Sequence, residues 1–201
     1  MKSQSEETPF KPESPYAVAK LYAYWIVKNY RKSYKIFASN GILFNHESPI
    51  RGETFVTRKI TIGISEIIKK KRKKIFLGNL DAKRDWGHAK DYVDGMWKIL
   101  QYNKADDFVL ATGETYSIRD FVEEAFSCVN IAISWKGKGL NEKGVNKKTN
   151  EILVEVDKAY YRPSDVNYLK GDACKAKREL GWKCNVSFKK LVKEMMENDL
   201  N

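Results

Sequence analysis

Residues 107–126 read DFVLATGETYSIRDFVEEAF, and this stretch decides the fold class. Asp107–Ala111 is a short apolar run bounded by turn-forming residues, which predicts a buried β-strand. Ser117 is a typical helix N-cap, so a helix is predicted to begin directly after it. The apolar stripe of this helix consists of Phe121, Val122, Ala125 and Phe126. A buried strand followed closely by an amphipathic helix is typical of α/β folds.

The same alternation of strands and helices extends in both directions along the chain. Ser14-Pro15 combines an N-cap with a proline at the first helical position, and predicts a helix that runs to about Tyr30. Further helices are predicted near residues 54–71, 88–101, 172–180 and 187–199, and further strands near 36–44, 75–77, 131–135 and 154–161. We therefore predict an α/β fold with a mostly parallel sheet. Only two or three strands are long and buried, so we expect this sheet to be incomplete.

Turn and loop residues mark the remaining segments. The sequence GNLD at residues 78–81 predicts a turn, with residues 84–86 as the hairpin partner of strand 75–77. Residues 136–151 are rich in Gly, Lys and Asn without an apolar period, which predicts a loop. Trp25, Trp86 and Trp97 are expected in the core.

Composition excludes several classes of protein. The chain has 201 residues and is 42% hydrophobic, which is too apolar for a disordered chain. It contains no apolar stretch of about 18–20 residues, the length that a membrane span needs. Three widely spaced cysteines without a CxxC motif, together with only two histidines, predict no metal site. Free cysteines are usual in a reducing compartment, so we expect a cytoplasmic protein.

The net charge raises the alternative of a basic nucleic-acid-binding protein. The 37 Lys and Arg residues outnumber the 26 Asp and Glu residues, so the formal net charge is +11. Six of the basic residues form one run, Lys69–Lys74, directly after an apolar helix pattern. Positive charge is favourable at the C-terminal end of a helix, and charge runs are usually solvated. The run therefore favours a solvated helix end, while the nucleic-acid alternative stays open.

A tyrosine and a lysine four residues apart lie on one face of a helix, where the ammonium lowers the pKa of the phenol. A tyrosine tuned in this way can act as a general base. Two such pairs occur in this sequence, Tyr16/Lys20 and Tyr24/Lys28, so the spacing alone does not identify a catalytic pair. Only the first pair lies directly after the Ser14-Pro15 helix start.

The context of Tyr16 resembles the active-site helix of the extended short-chain dehydrogenase/reductase family. Four ordered blocks narrow the resemblance: residues 7–25 with ETPF and SPYAVAKLYAYW, 40–49 with NGILFNHESP, 51–60 with RGETFVTRKI, and 84–92 with RDWGHAKDY. Together these blocks are similar to the GDP-mannose 4,6-dehydratase family. The resemblance covers essentially all 201 residues.

This resemblance implies a fold and its division into lobes. The implied fold is the C-terminal part of a Rossmann-type doubly wound parallel sheet with a smaller mixed α/β substrate-binding lobe. Residues 1–44 and about 105–130 are expected in the Rossmann sheet, and about 45–104 and 131–201 in the substrate-binding lobe and C-terminal helices. Family members also carry a GxxGxxG turn, which holds the cofactor pyrophosphate, and a Ser/Thr and a Glu before the Tyr. This sequence has no GxxGxxG motif, and Ser5 and Glu6 lie too close to Tyr16 to match that pair.

The implied reaction converts GDP-mannose to GDP-4-keto-6-deoxymannose and water, with NADP as the cofactor of an internal hydride transfer. Tyr16 matches the base that removes the 4-hydroxyl proton. Lys20 matches the residue that lowers the pKa of this tyrosine and binds the nicotinamide ribose. His46 and Arg51 match cofactor-binding positions. A guanidinium at position 51 also suits phosphate by its own chemistry.

The implied substrate-binding residues are Asn45, Lys59, Leu77, Gly78, Arg84, Arg162 and Asp165. Arg84 and Arg162 match arginines that neutralise the diphosphate, and Leu77-Gly78 would place backbone beside the guanine. Asp165 departs from the family, in which a glutamate is expected.

The resemblance further implies a homo-oligomer, a dimer or tetramer. Because the sequence resembles the last three-fifths of these enzymes, we expect the chain alone to be inactive, and a non-catalytic association module is the other alternative.

Overall fold

The computed structural model describes residues 3–161 and 166–201. Six helices occur in this part of the chain: α1 (Pro15–Tyr34), α2 (Val56–Ile68), α3 (Ala89–Gln101), α4 (Ile118–Ser127), α5 (Cys174–Leu180) and α6 (Phe188–Leu200). The strands are β1 (Asn40–Leu43), β2 (Asn45–Glu47), β3 (Ile75–Leu77), β4 (Lys83–Arg84), β5 (Trp86–His88), β6 (Asp107–Leu110), β7 (Tyr116–Ser117), β8 (Ile133–Lys136), β9 (Lys143–Asn146) and β10 (Ile152–Val156). None of the helices in the described residues has the length and apolar character that crossing a membrane requires.

Contacts divide the chain into two compact units. The first unit comprises Met1–His46, Arg84–Thr115 and Tyr168–Val186, and the second comprises Glu47–Lys83, Tyr116–Asn167 and Ser187–Asn201. These ranges differ from those expected for the two lobes, since residues 84–104 and 168–186 belong to the same unit as α1. The assignment of Rossmann and substrate-binding lobes stays a prediction.

The first unit is built around the parallel pair β1 and β6. Their register joins Asn40 to Asp107 and Leu43 to Leu110, and β6 is buried along its whole length. Apolar side chains of α3 and α5 cover these strands, because both helices have an apolar face. The buried cluster consists of Tyr92, Ile99, Phe108, Leu110, Ala176 and Trp182.

The second unit contains a four-stranded mixed sheet in the order β3-β10-β9-β8. β3 and β10 are parallel, whereas β10 with β9 and β9 with β8 are antiparallel. Helices α2, α4 and α6 contact one another in this unit. Their apolar stripes are buried, and include Ile60, Ile64, Phe121, Leu191 and Met195. The α/β prediction with parallel strand pairs is confirmed.

Three local predictions are wrong. The strand predicted near residues 154–161 ends at Val156, and Lys158–Tyr160 form a 3-10 turn instead. β3 forms no hairpin with residues 84–86; its partner is β10, so Gly78 ends a strand of a parallel pair rather than lying in a hairpin. The segment 136–151, predicted as a loop, contains β9, which pairs on both sides with β8 and β10. Hydrogen bonds to strands that are distant in the chain make this segment a strand, although its composition is typical of a loop.

The tryptophans and the basic run lie partly as expected. Trp86 is buried as predicted, whereas Trp25 and Trp97 are exposed, so the core prediction is wrong for these two.

The basic run Lys69–Lys74 follows α2, which ends at Ile68, instead of forming its last turn. Two members of this run form ion pairs, Arg72 with Glu66 and Lys74 with Glu155.

Candidate functional site

The structure distributes the predicted site residues over both units. Tyr16, Lys20, Asn45, His46 and Arg84 belong to the first unit. Arg51, Lys59, Leu77 and Gly78 belong to the second. Arg162 and Asp165 lie outside the described residues.

Tyr16 stands on the first turn of α1, directly after the helix start that the sequence predicts. The Ser14 hydroxyl accepts a hydrogen bond of 3.1 Å from the Ala17 backbone N–H and so caps the helix. Tyr16 is 74% exposed, and Lys20 follows it by one turn, on the same helix face. Neither side chain has a recorded hydrogen bond to another described residue. The phenol is therefore open to a ligand.

The second Tyr–Lys pair of α1 is structural. The Lys28 ammonium donates to the Tyr24 hydroxyl at 3.3 Å, and this hydroxyl donates to the Asp107 carboxylate at 3.1 Å. Burial, together with Asp107, raises the pKa of Tyr24 despite the opposing effect of Lys28. A phenol with a raised pKa that is bonded to a carboxylate is a poor general base. Tyr24 and Lys28 thus hold α1 against β6.

His46 is the middle residue of β2. Its Nδ1 lies 2.9 Å from the Phe44 carbonyl oxygen, and its ring stacks on Tyr92 with 5.0 Å between the centroids. Because a carbonyl oxygen only accepts, this bond places a proton on Nδ1. In the neutral ring, Nε2 is then the acceptor atom that a ligand hydroxyl would meet.

Arg51 is held by Glu47, the last residue of β2, and by Phe55, the residue directly before α2. Its Nε lies 3.2 Å from a carboxylate oxygen of Glu47, and its guanidinium stacks on the Phe55 ring at 3.5 Å. Glu47 is 3% exposed, and burial raises its pKa against the opposing effects of Arg51 and Thr57. The two Nη atoms of Arg51 have no recorded partner in the described part of the chain. A guanidinium fixed through Nε with free Nη atoms suits a phosphate.

Lys59 and Gly78 both lie close to one further residue, Tyr160, and Leu77 directly precedes Gly78. The Lys59 ammonium is 3.0 Å from the centroid of the Tyr160 ring. A Cβ added at Gly78 would lie 2.3 Å from the Tyr160 carbonyl oxygen, so only glycine allows this approach of the two backbones. The structure thus brings the predicted substrate residues of α2 and β3 to one place in the second unit.

A separate cavity of about 500 Å³ occurs in the first unit, and contains none of the predicted site residues. Cys174 and Cys184 line it. Burial raises the pKa of the Cys184 thiol to about 12, and a hydrogen bond with Asp172 raises that of Cys174. Both thiols are therefore poor nucleophiles at neutral pH. Within residues 3–161 and 166–201, no group of three or more His, Cys, Asp or Glu is arranged to hold a metal ion.

Comparison with known proteins identifies the family. The protein-family model described as GDP-mannose 4,6 dehydratase matches residues 1–195. The chain belongs to this family. It is 55% identical over 197 residues to the GDP-mannose 4,6 dehydratases of Drosophila melanogaster and Homo sapiens. These matches cover 98% of this chain but 50% and 53% of those proteins. A GDP-mannose 4,6-dehydratase of Vibrio cholerae is 53% identical, with 56% of its length covered. The chain spans about half the length of these relatives.

Solved structures share the fold. Pseudomonas aeruginosa RMD complexed with NADPH superposes with a TM-score of 0.81 at 18% identity, over 98% of this chain and 60% of that one. The dTDP-glucose 4,6-dehydratase of Bacillus anthracis in complex with NAD has a TM-score of 0.78 at 19% identity, over 98% and 56%. The predicted fold, part of a Rossmann-type α/β fold, is thereby confirmed.

Two residues near the predicted site were not identified from the sequence. Glu47 is part of the NHESP block and forms an ion pair with Arg51. Its spacing of four residues is a signal only in a helix, and this segment is a strand followed by a loop. Tyr160 has no such local signal, because its neighbours Lys59 and Gly78 are distant in the chain. From sequence alone, Tyr160 is indistinguishable from a packing residue.

Proposed function

We propose that this chain carries the catalytic tyrosine and the substrate-binding residues of a GDP-mannose 4,6-dehydratase. The observation that carries the proposal is the position of Tyr16, exposed on the capped first turn of α1 with Lys20 one turn away. Membership of the family, at 55% identity across nearly the whole chain, supports it. The proposed reaction is the conversion of GDP-mannose to GDP-4-keto-6-deoxymannose and water.

Tyr16 acts on the sugar in this proposal. Its phenolate takes the proton of the 4-hydroxyl group as the carbon at that position is oxidised. The Lys20 ammonium stabilises the negative charge of the phenolate from the next turn of the same helix face. Tyr24 has no part in the reaction, because its hydroxyl is already engaged with Asp107.

Residues of this chain also suit the proposed cofactor, NADP. When bound, this nicotinamide dinucleotide would supply a hydride acceptor for the oxidation at C4 and, once water has left from C5 and C6, the hydride donor for the reduction at C6. The free Nη atoms of Arg51 suit a phosphate, and Nε2 of His46 suits a ribose hydroxyl. Lys20 would bind the nicotinamide ribose. The structures with bound NADPH and NAD support a nicotinamide dinucleotide through the shared fold.

The nucleotide sugar is assigned to the remaining residues of the predicted set. Lys59 and Gly78 meet at Tyr160 in the second unit, and Leu77 is the neighbour of Gly78 in the chain, which supports a common ligand for the three. Four further substrate contacts are proposed on the family resemblance alone: Asn45, Arg84, Arg162 and Asp165.

The three free thiols fit a reducing compartment, so we propose a cytoplasmic location.

A chimeric enzyme tests the proposed function. The N-terminal part of the Drosophila relative, up to the region that this chain matches, is joined to residues 3–201, and GDP-mannose turnover is measured. We expect activity in the chimera and a loss of about 10²-fold or more in kcat for Tyr16→Phe. Tyr34→Phe, an exposed tyrosine at the other end of α1, is the matched control and is expected to retain activity. An inactive chimera that folds, or an active Tyr16→Phe variant, contradicts the proposal.

We also propose that α1 contributes to association with a second copy of the chain. Val18, Tyr22, Trp25 and Ile26 form a stripe at helical spacing, and all four are exposed. No residue of α1 is buried, although the helix has 20 residues. An exposed apolar stripe of this kind indicates an interaction surface. Light scattering of the folded chimera is expected to give a dimer or tetramer, and Trp25→Lys a smaller species; an unaltered mass in Trp25→Lys rejects the assignment of this stripe.

A further inference from the structure

Tyr160 lies on a short 3-10 turn, Lys158–Tyr160, that is attached to the end of β3. The Asp157 backbone N–H donates to the Leu77 carbonyl oxygen at 2.9 Å. The Asp157 carboxylate in turn accepts from the Ala159 N–H at 2.8 Å, and the Tyr160 N–H donates to the Asp157 carbonyl oxygen at 3.1 Å. The backbone of Tyr160 therefore has a defined position relative to Leu77.

Gly78 adds a second constraint on the same turn. The space that a Cβ at position 78 would need is occupied by the carbonyl group of Tyr160, whose oxygen is 2.3 Å and whose carbon is 2.9 Å from that point. Both are backbone atoms, which do not give way as the end of a flexible side chain does. The absence of a side chain at Gly78 thus allows the Tyr160 backbone to lie directly against β3.

The Tyr160 ring then meets the side chain of Lys59 on α2. The ammonium lies 3.0 Å from the ring centroid, and the aromatic face attracts it electrostatically. Lys59 is half-buried, and in the described part of the chain it has no recorded carboxylate within ion-pair distance. An ammonium on an aromatic face, without an acidic partner, keeps N–H groups for an anion on the side away from the ring.

We propose that Tyr160 is a positioning residue, which holds the Lys59 ammonium where it binds a phosphate group of the nucleotide sugar. This inference rests on the proposed function, which assigns Lys59 and Gly78 to the substrate. The inference adds Tyr160 to that site. It also gives Gly78 a second role, because the absence of a side chain at Gly78 leaves room for the turn that carries Tyr160. The chemistry required of the ligand is a nucleoside diphosphate, since the ammonium recognises phosphate oxygen and not the base.

GDP binding to the full chain tests this inference, with calorimetry as the measurement and GDP as the probe. Tyr160→Leu removes the aromatic face and is expected to weaken GDP binding about threefold to tenfold, the range of a cation–π contact. Tyr160→Phe keeps the face and is expected to bind GDP as the unaltered chain does. Tyr161→Leu is the matched control, because the neighbouring tyrosine has no recorded contact with Lys59, and is expected to leave binding unchanged.

A second readout, by NMR, follows the lysine itself. The ε-methylene protons of Lys59, assigned by their loss in Lys59→Gln, are expected upfield in the unaltered chain and in Tyr160→Phe, because they lie over an aromatic ring. They are expected to return to the ordinary lysine position in Tyr160→Leu. Far-UV circular dichroism of each variant shows that it is folded.

The two readouts separate the possible failures. If the unaltered chain binds GDP and folded Tyr160→Leu binds it equally well, Tyr160 has no positioning role, while the proposed function stands. An ordinary lysine shift in the unaltered chain also overturns the inference alone. If the unaltered chain shows the upfield shift but binds no GDP, the substrate assignment of Lys59 is wrong, and the inference falls with it.

Discussion

Tyr24 and Lys28 lie against the buried carboxylate of Asp107. Tyr16 lies on the open first turn of the same helix, and Lys20 is exposed on the next turn. The two pairs have equal spacing, and burial together with the contact to Asp107 separates their chemistry. A phenol bonded to a carboxylate is stabilised in its neutral form, while an exposed phenol beside an ammonium is available as a base. At the scale of single residues, the surroundings decide which tyrosine can react.

Asp107 gives a testable pH dependence at this scale. Burial would raise the pKa of its carboxyl, but hydrogen bonds from Arg31 and Asn40 and the charge of Arg31 hold that pKa below its usual range. Lys28 and Tyr24 are the other titratable groups that face this carboxylate. A lowered folded-state pKa contributes stability above the unfolded-state value of about 4, and this contribution is lost as the pH falls through the folded-state pKa.

We expect Asp107→Asn to lower the free energy of unfolding by about 3 kcal/mol at pH 7, because it leaves the Arg31 guanidinium unpaired. The difference from the unaltered chain is expected to shrink as the pH falls below about 4. Urea unfolding curves, measured between pH 3 and pH 7 at intervals of ~1 pH unit, determine both effects. Asp94→Asn, at an exposed pair with Lys98, is the control and is expected to cost about 0.5 kcal/mol or less. A constant difference at every pH would show that the charge of Asp107 is not responsible.

At the scale of elements, the ends of the helices depend on individual side chains. Ser117 and Asp120 form a reciprocal capping box at the start of α4: the Ser117 hydroxyl accepts from the Asp120 N–H at 3.0 Å, and the Asp120 carboxylate accepts from the Ser117 N–H at 2.7 Å. This arrangement satisfies backbone N–H groups that a helix start leaves without partners. It also fixes where the buried face of α4 begins.

Ser117→Ala is expected to lower the free energy of unfolding by about 1 kcal/mol, because the cap is lost. Ser117→Asp keeps an acceptor at the N-cap and is expected to recover most of that stability. Chemical denaturation of the three proteins measures the effect. Equal midpoints for Ser117→Ala and the unaltered chain would mean that the capping box does not contribute to stability.

The last turn of α6 is tied to α2 by Asp199. Its carboxylate lies 2.7 Å from Nη1 of Arg58 and accepts from the Thr61 hydroxyl at 2.6 Å, and its carbonyl oxygen accepts from the Ser65 hydroxyl at 2.5 Å. The side chains of Arg58 and Asp199 are 10% and 5% exposed, so each charge relies on the other. This cluster joins two helices of the second unit through polar contacts beside their apolar stripes.

We expect Asp199→Ala to destabilise the chain by about 3 kcal/mol, since an unpaired guanidinium would remain buried. Glu197→Ala is the matched control on the same helix, because Glu197 is exposed in its pair with Lys193, and a change within about 0.5 kcal/mol is expected. The thermal midpoints of both variants measure the difference. Similar midpoints would contradict a stabilising role of the Arg58–Asp199 pair.

At the scale of the whole molecule, the chain aligns with about half of each curated relative. The resemblance assigns the glycine-rich cofactor turn and the catalytic Ser/Thr and Glu to residues that this sequence does not contain. We therefore expect no measurable conversion of GDP-mannose by the chain alone in the presence of NADP. Chromatography of the nucleotide sugars measures conversion, and the active chimera is the positive control. Turnover near that of the chimera would show that the residues of this chain are sufficient.

The sequence by itself determined the helices, their caps and the family, because these depend on patterns within a few residues or on ordered blocks of sequence. Ser14, Tyr16 and Ser117 lie where those patterns place them. Only the tertiary structure decided that β3 pairs with β10, and that Tyr160 reaches Lys59 and Gly78. The physical reason is that strand register and contacts between distant segments depend on packing across the whole unit, which no local period of apolar residues encodes.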